Sequence, residues 1–90
     1  MTNPSNVMFA TMSMYGPKKG HATLHARSCH QVIGWARAIM EVDNQATKFD
    51  ISIEYGGLRF ILPSTDRKEF SDKLEDMNEI DFWAVIGATD

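Results

Sequence analysis

"GHATLHARSCH", residues Gly20 to His30, gathers all three histidines and the sole cysteine of the chain into eleven positions. Read with a period of two, Ala22, Leu24 and Ala26 share one face, while His21, Thr23, His25 and Arg27 share the other. That is the pattern of a strand with one wet side. A rival reading starts a helix near Gly20, since Ala26, Cys29, Ile33, Ala36 and Met40 also fall on one helical face. The strand is preferred. On a strand, His21 and His25 stand about 13 Å apart, too far to share one ion at ligand bonds near 2 Å. On a helix, His21, His25 and Cys29 would fall at i, i+4 and i+8, where neighbouring pairs chelate. The spacing matches no two-pair zinc pattern, so neither a metal nor another cofactor is expected.

The flanks extend the strand reading in both directions. Upstream, "VMFATMSMY" (Val7 to Tyr15) puts Met8, Ala10, Met12 and Met14 opposite Phe9, Thr11, Ser13 and Tyr15. "GPKKG" (Gly16 to Gly20) is a turn, which makes the two segments arms of a hairpin. Downstream the period changes at Ser28, a good N-cap. Cys29, Val32, Ile33, Ala36, Ile39 and Met40 then recur at helical spacing, until Asp43-Asn44 ends the run.

"TKFDISIEYGGLRFIL" (Thr47 to Leu62) predicts a second hairpin. Phe49, Ile51, Ile53 and Tyr55 alternate with Lys48, Asp50, Ser52 and Glu54; Gly56-Gly57 turns the chain; Leu58, Phe60 and Leu62 alternate with Arg59 and Ile61. Pro63 is expected to stop it. Asp66 followed by Glu69 resembles a capping box, opening a short acidic helix with Phe70, Leu74 and Met77 as its stripe and ending near Asn78. "DFWAVIGA" is apolar on both faces, as expected of an internal strand.

The element order read this way is β-β-α-β-β-α-β. It predicts an α+β two-layer sandwich, ferredoxin-like or a variant, with two helices on one face of a mainly antiparallel sheet. From His21 onward the pattern matches the split β-α-β arrangement, but there the first strand has a neighbour on each side. Either the first hairpin is real and the topology is a variant, or the N-terminal strand lies elsewhere. Residues 1–6 read as a flexible N-terminus and 7–90 as a single domain.

Composition narrows the function classes. A lone cysteine makes no internal disulfide, the N-terminus lacks a signal-peptide pattern, and no stretch approaches a membrane span; a cytoplasmic protein is expected. The net charge of −3 is split. Residues 1–45 carry four basic groups against Glu41 and Asp43, and residues 46–90 five basic against ten acidic. A phosphate-gripping protein is usually basic overall.

No glycine loop cradles phosphate: "YGGL" is a hairpin turn, and "GPKKG" lacks the helix and Ser/Thr of a P-loop. Cys29 at a helix N-terminus is the best candidate nucleophile, as the dipole favours a thiolate there. His30, however, as its neighbour on a helix, does not face it. No enzyme is expected.

With both helices on one face, the other face carries His21, Thr23, His25, Arg27 and Lys48, Asp50, Ser52, Glu54. Joining them are Phe9, Tyr15, Ile61 and either Phe82 or Trp83. Such a mixture marks an association surface. The expected function is that of a non-enzymatic protein that modulates or inhibits a macromolecular protein partner, as a homodimer. Its expected binding residues are Phe9, Tyr15, Arg27 and Trp83, with the helix acids Asp66, Glu69, Asp72, Glu75, Asp76 and Glu79 facing a basic partner surface. In size and style the chain resembles the small accessory proteins of phages and mobile elements that act on a host protein, of host-takeover or anti-defence type. The alternatives are a nucleic-acid-binding module built on Lys18, Lys19, His21, His25 and Arg27, and a small thiol enzyme using Cys29.

Overall fold

The computed structural model describes residues 7–77 and 80–86. Its elements are β1 (Met8–Tyr15), β2 (Gly20–Ala26), α1 (Cys29–Val42), β3 (Lys48–Tyr55), β4 (Leu58–Asp66), α2 (Arg67–Asp76) and α3 (Asp81–Ile86). The strands form one sheet in the order β2-β1-β3-β4, with every neighbouring pair antiparallel. The eleven-residue cluster therefore divides as a strand followed by a helix start, and the rival helix from Gly20 is not formed.

Alternation decides the layers. Met8, Ala10 and Met12 of β1, Ala26 at the end of β2, Phe49, Ile51 and Ile53 of β3, and Leu62 of β4 are buried on one face. The helices cover that face with Cys29, Val32, Ala36 and Met40 from α1 and Phe70 and Leu74 from α2. This is the expected α+β two-layer sandwich. The first hairpin is real, which makes the topology a variant: β1 lies inside the sheet, and α1 links β2 to β3 across it. β2 and β3 are thus the parallel arms of a split β-α-β unit with β1 between them.

Local chemistry fixes the boundaries. The Ser28 side chain accepts from the Gln31 backbone N–H at 3.3 Å, and Asp66 accepts from that of Glu69 at 2.8 Å, so both expected N-caps are formed. Gly56, at φ +59°, supplies the left-handed residue that the tight β3–β4 turn demands. Gly16 is required for another reason. A Cβ there would stand 2.9 Å from the Gln45 carbonyl oxygen and 3.0 Å from Ala46 Cα, where the α1–β3 loop crosses the end of β1 and Thr47 donates its backbone N–H to the Tyr15 carbonyl at 2.8 Å.

Two expectations are corrected. Pro63 does not end β4, which runs on to Asp66. Ile51 pairs with Leu62 and Phe49 with Thr65, so Pro63 and Ser64 together oppose Asp50 in a β-bulge. A proline, which has no N–H to donate, is tolerated at a bulge on an edge strand. The second correction concerns "DFWAVI", which is the helix α3 and not an internal strand. A short apolar run lacks the period that separates the two. Here Phe82 packs on Phe60 of β4 at a ring separation of 5.7 Å and on Trp83 at 5.6 Å, edge-on. Trp83 is 0 % exposed, so α3 extends the helical layer and adds no strand to the sheet; Gly87 and Ala88 of the expected strand lie outside the described residues.

Candidate functional site

Register brings the outward-facing residues into rows. His25, Phe9, Glu54 and Arg59 form one row across the four strands, and Thr23, Thr11, Ser52 and Ile61 a second. His21, Ser13 and Asp50 form a third. None of the described helices lies on this side; the helix residues that pack do so against the opposite face. Phe9 is 37 % exposed and Ile61 56 %, two strands apart, with polar groups between them.

Side-chain contacts hold this surface in shape. The Phe9 and His25 rings stand 5.2 Å apart at 50°. Arg59 forms an ion pair with Glu54, its Nε donating to the carboxylate at 3.0 Å. The Tyr15 hydroxyl donates to Asp50 Oδ2 at 2.8 Å, and Lys19 Nζ lies 5.3 Å from the Tyr15 ring centroid. The hydrogen bond to Asp50, followed by desolvation, pushes the Tyr15 hydroxyl above the ordinary phenol range.

The sequence-predicted binding residues separate into groups. Phe9 and Tyr15 lie on the open face, and Arg27 is exposed just past the end of β2. Trp83 is a correction: it is fully buried in the helical layer and presents nothing to a partner. The acids of α2 lie in the layer away from the open face, and three of them are engaged within the chain. Glu75 meets Arg37 at 3.1 Å, Asp72 meets Lys68 at 3.4 Å and Glu69 meets Lys73 at 3.6 Å, while Asp66 caps the helix and Asp76 ends it exposed. Glu79 lies outside the described residues. No single flat surface brings the described acids and the open-face aromatics together.

The basic set is also spread out. Lys18 and Lys19 sit in the β1–β2 turn, His21 and His25 on the open face of β2, and Arg27 beyond its far end. The extended chain from Lys19 to Arg27 spans roughly 26 Å, with the Asp50 and Glu54 carboxylates on the same face. Among the described residues no group of three or more His, Cys, Asp and Glu side chains is placed to hold a metal ion. Cys29 is buried at the start of α1, and desolvation there pushes its thiol up from the ordinary range, against the lowering by backbone N–H groups. That is the opposite of the activation a nucleophile needs.

Sequence reasoning missed Arg67, the first residue of α2. Its guanidinium donates to the carbonyls of Met40 at 2.8 Å, Asp43 at 2.7 Å and Ala46 at 2.7 Å, with its carbon 5.0 Å from the Phe49 ring centroid. It satisfies the C-terminal end of α1 and the following loop together. No local pattern announces such a contact, as its partners lie far upstream in the chain.

No helix among the described residues is long and apolar enough to cross a membrane. Comparison of the chain with protein-family models, curated proteins and solved structures finds no match.

Proposed function

We propose that this chain is a non-enzymatic binding protein that modulates or blocks a protein partner through the open face of its sheet. The observation that carries the reading is the open face itself, which no described helix covers and where Phe9 and Ile61 remain exposed. They sit in a field of Thr, Ser and His held by the Tyr15–Asp50 and Glu54–Arg59 contacts. Apolar anchors inside a polar rim are the anatomy of a non-obligate protein interface. Preformed side-chain contacts also lower the ordering cost of association. The described acids of α2, three of them in ion pairs within the chain and all in the other layer, are given no part in it.

The test is affinity capture with wild type and a Phe9→Asp, Ile61→Asp variant immobilised side by side, with circular dichroism to show that both are folded. The expected outcome is a partner retained stoichiometrically by wild type and lost at least tenfold with the variant. Identical retention by both proteins would overturn the reading. A labelled single-stranded oligonucleotide provides the contrasting arm. Binding that falls steeply with salt would move the function to nucleic acid, against the carboxylates on this face.

A further inference from the structure

We infer that the free edge of β2, together with the adjoining flank of α1, pairs with a second copy of this chain. β2 is one outer strand of the sheet, and among the described residues it carries none of the devices that blunt an edge. Gly20–Ala26 contains no proline, lysine or acid, and no register shift interrupts its pairing with β1. The other outer strand, β4, has both Pro63 and a bulge.

The seven residues of β2 are self-complementary. Antiparallel pairing of the whole strand with its copy puts a two-fold axis at Thr23. Ala22 then lies opposite the partner's Leu24 on the helical side, and His21 opposite the partner's His25 on the open side. Each strand keeps its faces, so the two sheets join edge to edge into one, and the open faces of the two copies become continuous.

The flank of α1 supplies the apolar part. Arg37 points to α2 through its ion pair with Glu75. Trp35, Ala38, Ile39 and Val42 lie on the side turned away from α2 and, with Met14 of β1 and Asp43 after the helix, line a largely apolar cleft of about 260 Å³. Val42 is 85 % exposed. α1 packs over β2 and runs back along it, so the helical rise of about 1.5 Å per residue brings Trp35 roughly level with Thr23. α1 also packs against β1, so with strands about 4.8 Å apart the two copies of α1 stand about two strand spacings apart, within the roughly 8–10 Å at which helices interlock. An apolar cleft alongside a bare strand fits an identical apolar surface. Lys19 and the partner's Arg27 are like charges brought together just beyond each end of the ladder, so added salt should strengthen this dimer.

Sedimentation and a site-specific cross-link test the assignment without reference to the sheet-face partner. The wild-type chain is expected to sediment at twice its 10.2 kDa mass at concentrations on the order of tens of micromolar, more completely at about 0.5 M than at about 0.05 M salt. The Thr23→Cys variant should form a symmetric disulfide between the two copies under mild oxidation, because opposed strand residues have Cα atoms about 4.5–5.5 Å apart. The Ile61→Cys variant, with its thiol exposed on β4, should cross-link at least tenfold more slowly. Val42→Glu, at a helix position that is 85 % exposed, should shift the equilibrium at least tenfold to monomer with unchanged circular dichroism. A single-chain mass up to about 200 µM would overturn the assignment. So would a dimer in which the Thr23→Cys variant links no faster than the Ile61→Cys variant.

Discussion

Arg67 joins the end of α1, the loop after it and the ring of Phe49, while its own backbone begins α2. Its planar fork suits three carbonyls in a way that an ammonium does not. Arg67→Ala is expected to cost about 2–4 kcal/mol in urea unfolding, and Arg67→Lys to restore less than half of it. Cys29 makes the opposite kind of prediction. With its thiol pushed up by burial, less thiolate is present at neutral pH, and alkylation of the folded protein should be slower than that of a small free thiol. Unfolding should remove the difference. At Tyr15, Asp50→Asn should bring ionisation of the hydroxyl to lower pH, read by titrating the ultraviolet absorbance of the phenolate in both proteins, because the carboxylate that favours the neutral phenol is gone.

Elements differ in how much of themselves the residues disclose. The β3–β4 hairpin and α1 are legible because apolar positions at strand and helix periods run long enough to exclude each other, and because Ser28 marks the change. The strand end at Pro63 is misread because the rule that proline stops a ladder applies to paired N–H groups, and a bulge at a sheet edge has none to lose. α3 is misread because its six residues are too few to show a period. Only the neighbouring aromatics of β4 and the helical layer decide that Trp83 turns inward. Trp83→Ala is therefore expected to destabilise the fold by about 3–5 kcal/mol, a core cost and not a lost contact with a partner. Removing the N-cap at Asp66 by alanine should cost about 1 kcal/mol.

For the molecule as a whole, the layer architecture and the open face follow from alternation alone, so Phe9, Tyr15, His21 and His25 are placed where the pattern puts them. The separation of the acids of α2 from that face follows from the same two-layer reading, whereas the central position of β1 depends on strand order, which periodicity leaves open. The two margins of the sheet are unlike. One ends in a straight, uninterrupted ladder, and the other is bent by Pro63 and Ser64 opposing Asp50. Pro63→Thr leaves the core untouched, yet it restores a hydrogen-bond donor to the outer strand. The variant is expected to bind thioflavin T and form fibrils on prolonged incubation where wild type stays clear. With β2 pairing as proposed, a subunit extended from that margin alone would close its stoichiometry at two, and the kink at the other margin would set the upper bound on how far the chain can polymerise.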